Sequence, residues 1–226
     1  DIKTNEKLSR QVIGFDISDT RIIELNRGED RTKEITKDSL IKEINSPEKR
    51  LVITRDENLL LDSDLYIITV PTPVNKAKKP NLQALESACN IVGGILKKRF
   101  EIKRNLDSYK IPIIVFESTV FPGATEEICV PIIIEKSGLE FNTLKINSFG
   151  CGYSPERINP GDKKHNLTSI IKITSGSNKE VAFFVNKVYS SIIKAGTFLV
   201  ENIKIAEAAK VIENTQRDLN IALINE

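Results

Sequence analysis

Apolar positions in this chain fall into short continuous runs, each stopped by a residue that cannot continue a strand. Val12 to Ile17 is the first run, apolar and β-branched as a buried strand should be, with Asp16 near its end. Ser18 then caps a helix that extends through Asn26 and that Gly28 can stop. Leu65 to Val70 is a second run and ends in Pro71-Thr72-Pro73, because proline has no N–H to give a sheet ladder. A helix over Leu82 to Arg99 follows, weakened by Gly93-Gly94, and Pro112 to Phe116 is a third strand leading into Glu117-Ser118-Thr119. Pro122 suits a first helical turn, and Glu126 and Glu127 suit the positive end of that helix. Strands around Ile146 to Gly150 and Ile170 to Thr174 precede a helix capped by Ser177 or Asn178, running to about Ala195 and closed by Gly196. From about Asn202 to Glu226 one long helix runs without a breaker.

Continuous apolar strands alternating with helices predict an α/β fold with a parallel sheet covered on both faces. Such sheets bind ligands beyond the carboxyl ends of their strands. Asp16, Pro71-Thr72, Ser118-Thr119 and the loop Tyr153 to Gly161 all follow strand ends, so they are expected on one edge. The loop Tyr153-Ser154-Pro155-Glu156-Arg157-Ile158-Asn159-Pro160-Gly161 places an acid beside a base between rigid prolines. An ordinary exposed ion pair is the plain alternative for Glu156 and Arg157. On the last helix Glu207, Lys210, Asn214 and Arg217 are spaced by three, four and three and share one face. The rest of that helix is rich in Ala, Val, Ile and Leu, and a polar stripe there is costly unless it meets ligand, water or a partner.

Composition narrows the function class. Of 226 residues 40% are hydrophobic, enough for a substantial core in one or two domains. Charges nearly balance at +2 without a basic tract, which argues against nucleic acid. No apolar run reaches the roughly 20 residues that span a bilayer, so no membrane partner is expected. Cys89, Cys129 and Cys151 are far apart, without metal-ligand spacing, and read as reduced thiols of a cytoplasmic protein with no metal. Cys151 lies near Glu156 in sequence, but an inert buried thiol is the expected state, and His165 is expected on the surface. Methionine is absent, which suggests a trimmed or partial chain.

SPERINPG at 154–161, VPTP at 70–73, ESTVFPG at 117–123 and AEAAKVIENTQRDLNIALINE at 206–226 occur in an order that resembles the UDP-glucose/GDP-mannose dehydrogenase family. The branch resembled oxidises UDP-N-acetylhexosamines, UDP-N-acetylglucosamine or UDP-N-acetylgalactosamine, for bacterial capsule and O-antigen (Vi-antigen type) polysaccharides. The resemblance implies a Rossmann-like, doubly wound parallel sheet followed by a long central helix, with NAD as cofactor. It implies a four-electron oxidation of the sugar C6 alcohol to a uronic acid, using two NAD and water, through a cysteine thiohemiacetal and thioester. Asp16 would accept hydrogen bonds from the adenosine ribose, with Arg21 nearby, and Pro71, Thr72, Ser118 and Thr119 would line the cofactor pocket. Thr119 would help hold a water, Glu156 would do acid–base work, and Lys210 and Asn214 would stabilise an oxyanion at C6. Arg157, Ile158 and Arg217 join Glu156, Lys210 and Asn214 as implied substrate contacts. Arg157 and Pro160 stand where the UDP-glucose branch has an apolar residue and a second acid, which favours acetylated sugars. Arg217 or Asp218 could instead serve a homodimer contact of the long helix, as in relatives.

The sequence also departs from the family. Asp1 to Arg10 has neither an apolar strand nor a glycine, so the first strand, G-x-G-x-x-G loop and first helix are expected to be missing. The family's glycine-histidine-cysteine nucleophile is expected past Glu226. The expectation is therefore an N-terminally incomplete NAD-binding domain over 1–200, the start of a dimerisation helix over 201–226, no UDP-binding domain, weak NAD binding and no turnover by the chain alone. Two alternatives stay open: a non-catalytic nucleotide-sugar-binding or dimerising remnant, and a dehydrogenase acting on UDP-glucose or UDP-N-acetylmannosamine.

Overall fold

A computed structural model describes residues 10–48, 50–75, 77, 79–143, 145–156 and 169–226. The chain divides into two compact units, Asp1–Asp62 and Ser63–Glu226.

In the first unit β1 (Val12–Phe15) pairs in parallel with β2 (Leu51–Thr54). The helices α1 (Asp19–Asn26) and α2 (Lys37–Ile44) lie between them in sequence. Ser18 caps α1 by accepting from the Arg21 amide, and Thr36 caps α2 through Ser39. Gly28, at φ +77°, turns the chain out of α1 in the left-handed region that a side chain resists. The expected first strand was two residues too long. β1 stops at Phe15, and the Asp16 carboxylate already accepts from the Ser18 amide at 2.8 Å.

In the second unit β3 (Leu65–Ile68), β4 (Ile113–Phe116), β6 (Ser148–Tyr153) and β5 (Glu140–Phe141) form one parallel sheet in the order β3-β4-β6-β5. All six residues of β6 are buried. β7 (Lys172–Thr174) and β8 (Thr197–Leu199) form a separate parallel pair joined through α5 (Lys179–Ser190). α3 (Gln83–Lys103) buries Leu85, Cys89, Val92, Ile95 and Leu96 at helical spacing, each large aliphatic side chain contributing roughly 1.5–3 kcal/mol. A π-helical turn, Thr125–Cys129, leads into α4 (Val130–Ser137). α3 runs unbroken through Gly93 and Gly94. A Cβ at Gly93 would lie 2.7 Å from the Lys136 Cβ, so the glycine permits close packing of α3 on α4. Val115, Val181, Val185, Tyr189 and Ile193 form a core beneath α5. The last helix, α6 (Ile203–Asn225), is capped by Asn202, whose side chain accepts from the Ile205 amide.

The fold is thus α/β with parallel strands, as expected, but the strands lie in three sheets rather than one. Among the described residues no strand pairs with the second edge of β1 or of β3.

Candidate active site

Three loops of the second unit meet at the carboxyl ends of β3, β4 and β6, tied by main-chain carbonyls that accept side-chain hydroxyls. Ser118 donates to the Val70 carbonyl at 2.6 Å, and Thr72 donates to the Thr119 carbonyl at 2.6 Å. Tyr153, fully buried, donates its phenol to the Ser118 carbonyl at 3.1 Å. Burial pushes its ionisation up, with the Glu207 charge adding to the effect, so the phenol stays a donor. Ser118 is buried by these ties, whereas Thr119 and Pro71 are exposed at the edge.

The α6 stripe closes on the same edge. Glu207 is wholly buried, and its carboxylate accepts from the Gly123 amide at 2.6 Å and the Thr125 amide at 2.9 Å. Those amides are donors that a helix start leaves without an intrahelical partner, so Glu207 caps the π turn from another element. One turn on, the buried Lys210 ammonium donates to the main-chain carbonyl of Glu156. Asn214 and Arg217 meet each other, Nη2 of the arginine donating to Oδ1 of the asparagine at 2.5 Å. Glu156 itself is half-buried. The structure therefore brings Ser118, Thr119, Thr72, Glu156 and Lys210 together, with Asn214 and Arg217 farther along the same helix. Arg157 and Ile158 lie outside the described residues, as do Pro160, Gly161 and His165.

Asp16 and Arg21 belong to the first unit. Asp16 is half-buried just beyond β1. Arg21 pairs with Asp30 at 2.8 Å, so its guanidinium is already committed within its own unit. Asp16 fits the ribose end of a dinucleotide, being a carboxylate held at a strand end by an amide. The sequence given has no G-x-G-x-x-G turn to take a pyrophosphate.

Three residues behind the edge escaped the sequence reading: half-buried Glu117 and buried Lys172 and Tyr189. The Lys172 ammonium is 3.3 Å from a Glu117 carboxylate oxygen, and the Tyr189 hydroxyl donates to the other oxygen. A lysine inside the apolar run Ile170 to Thr174 was the available signal. The cysteines are all buried. Burial pushes the Cys151 thiol up, while the neighbouring Cys129 and burial push Cys89 up, so neither of these two has thiolate character. Among the described residues no cluster of His, Cys, Asp or Glu could hold a metal, and no helix is long and apolar enough to cross a membrane.

A parallel α/β unit that gathers hydroxyls, an acid and a buried lysine at the ends of its strands has the build of a dinucleotide-dependent oxidoreductase domain. The family model described as "UDP-glucose/GDP-mannose dehydrogenase family, NAD binding domain" matches residues 3–193, and the chain belongs to that family. It is 50% identical over 218 residues to a UDP-N-acetyl-D-glucosamine 6-dehydrogenase of Salmonella typhi, covering 96% of this chain and 46% of that protein. It is 49% identical over 217 residues to a protein of the same description from Pseudomonas aeruginosa, with the same coverage of 96% and 46%. Among solved structures it is similar to a UDP-D-ManNAc dehydrogenase from Pyrococcus horikoshii, at a TM-score of 0.80 and 30% identity, covering 96% of this chain and 47% of the other. The chain spans about half the length of the curated relatives it matches.

Proposed function

We propose that this chain is the cofactor-binding half of an NAD-dependent UDP-N-acetylhexosamine 6-dehydrogenase, which converts the sugar C6 alcohol to a carboxylate for surface-polysaccharide precursors. The observation that carries the proposal is the Lys210–Glu156 junction, on a chain half-identical to two UDP-N-acetyl-D-glucosamine 6-dehydrogenases. Glu156 supplies the acid–base group, and its half-buried carboxyl can move protons between the reacting sugar and water. Lys210, poised at the loop carbonyl, is the cation that stabilises a developing oxyanion, and Asn214 one turn later adds an amide donor. Thr119, exposed at the end of β4, offers a hydroxyl to hold the water that the second oxidation consumes. Arg157, Ile158 and Arg217 complete the sugar-nucleotide contacts. In the first unit Asp16 is the adenosine-ribose contact, with Arg21 nearby, and in the second unit Pro71, Thr72 and Ser118 are cofactor contacts. NAD, when bound, supplies the hydride acceptor. Ile212 and Leu219, both exposed and seven residues apart on one side of α6, suit a homodimer contact; the setting is cytoplasmic.

The test is a substrate panel on a polypeptide carrying these residues at the length of the relatives. NADH formation with UDP-N-acetylglucosamine or UDP-N-acetylgalactosamine, well above that with UDP-glucose, is the expected result. A preference for UDP-glucose overturns the branch assignment. Calorimetric binding of all three without turnover makes the non-catalytic module the better account.

A further inference from the structure

Lys172 has no part in the chemistry proposed above, yet its side chain is only 4% exposed. It sits in β7 next to Ile173, where a lysine is costly unless its charge and all its donors are met. They are met by three acceptors. Nζ lies 3.3 Å from Glu117 Oε2, 3.5 Å from the Ser154 carbonyl and 3.4 Å from the Pro155 carbonyl. The Tyr189 ring faces the ammonium, 5.1 Å away at its centroid, and the Tyr189 hydroxyl donates to Glu117 Oε1. Both carboxylate oxygens and all three ammonium donors are accounted for.

The arrangement joins two loops. Ser154 and Pro155 lead directly into Glu156. Glu117 leads directly into Ser118 and Thr119, and its own amide is fixed to the Ile68 carbonyl at 2.9 Å. Ser154 is anchored in turn, its amide to the Phe116 carbonyl at 3.0 Å and its hydroxyl to the Ile173 carbonyl at 2.7 Å. A buried ion pair is a poor way to gain stability compared with an apolar pair of the same size. It is a good way to fix geometry, because it tolerates little displacement of either partner. We propose that Glu117, Lys172 and Tyr189 form a positioning device that sets the spacing between the Thr119 loop and the Glu156 loop. Lys172 is its central positioning residue. The proposal rests on the roles assigned to Thr119 and Glu156 above.

The test is the double variant Glu117→Gln with Lys172→Met, which leaves no unpaired buried charge while removing the grip on the two carbonyls. Turnover is measured on the relatives-length polypeptide, together with hydrogen exchange of the amides at 150–156 and a thermal unfolding curve. The expected result is a cooperative unfolding transition, with kcat lower by about 30- to 100-fold and KM within about three-fold, as loss of alignment predicts. Exchange at 150–156 is expected to be about ten-fold faster, with the rest of the unit unchanged. Unchanged kcat and exchange overturn the proposal, as does faster exchange spread through the whole unit. Should the double variant fail to fold, Tyr189→Phe removes only the hydroxyl on Glu117. The same pattern at about three-fold size is then expected, and no change at 150–156 overturns the proposal. If the unaltered polypeptide turns over no nucleotide sugar, the assignment of the site fails, and the exchange experiment alone decides the role of the cluster.

Discussion

Replacing Glu207 by glutamine is expected to lower the thermal midpoint of the second unit by about 4–12 °C, and the structure sets that figure. The Glu207 carboxylate is fully buried and accepts from two main-chain amides, Gly123 at 2.6 Å and Thr125 at 2.9 Å. Glutamine keeps the shape but presents one oxygen and one NH2, so one amide faces a donor instead of an acceptor. A hydrogen bond to a charged group contributes about 1.5–3 kcal/mol, and the orphaned buried N–H adds to the loss, giving about 2–3 kcal/mol for this substitution. In a chain of this size each kcal/mol moves the midpoint by about 2–4 °C. Glu207→Ala removes both acceptors and leaves a void, so its loss is larger, about 3–6 kcal/mol. Differential scanning calorimetry gives the order wild type, Gln, Ala. Hydrogen exchange adds a local signature, because Gly123 and Thr125 should lose protection before the centre of the sheet does. A glutamine variant within about 1 °C of wild type, or one with the two amides still protected, refutes the capping role.

Three further outcomes follow from the packing and charge. Gly93→Ala should destabilise by about 1–3 kcal/mol, since its Cβ would sit 2.7 Å from that of Lys136. Gly94→Ala, with nothing within 4 Å of its Cβ, should stabilise by up to about 1 kcal/mol, and urea midpoints compare the two. Burial opposes ionisation of Asp30, but hydrogen bonds from Arg21, Thr32 and the Ile35 amide outweigh it and hold the carboxyl well below the usual range. The folded pKa is depressed, so this stabilisation is complete above the unfolded value near pH 4 and is lost as the pH falls through the folded one. Asp30→Asn should flatten that acid limb of the first unit's stability curve, and a limb left unchanged contradicts the assignment. Finally, Cys89, Cys129 and Cys151 should resist an aromatic disulfide reagent in the native protein and react on unfolding, whereas rapid native labelling would contradict their burial.

Local chemistry was legible in the sequence wherever a single residue decides the outcome. Ser18 and Asn178 cap their helices through side chains that reach only three residues ahead, and the last helix begins next to Asn202, where its start was expected. Gly28 adopts the left-handed turn for which only glycine is free of penalty, whereas β3 stops at Ile68, two residues short of the run to Val70 that Pro71 was expected to end. Short elements were not legible. α2 buries only Leu40, β2 has four residues, and β8 leaves Phe198 and Leu199 exposed, so none carries a period long enough to read. At the site, the shared face of Glu207 and Lys210 was visible in their spacing, but their partners were not. Gly123 lies 84 residues from Glu207, and the Glu156 carbonyl lies 54 residues from Lys210. Lys172 was hidden for the same reason, since its cost is offset by Glu117, Ser154 and Pro155, which only the fold brings near.

The most direct test of the nucleotide-sugar dehydrogenase account is the NADH yield per UDP-N-acetylglucosamine consumed, run to completion on the relatives-length polypeptide and on its Glu156→Gln variant. The account predicts two NADH per sugar with a carboxylate product, and a loss of about 10²–10⁴ in rate for the variant. A yield of one NADH with an aldehyde product, or an undiminished Glu156→Gln rate, contradicts it.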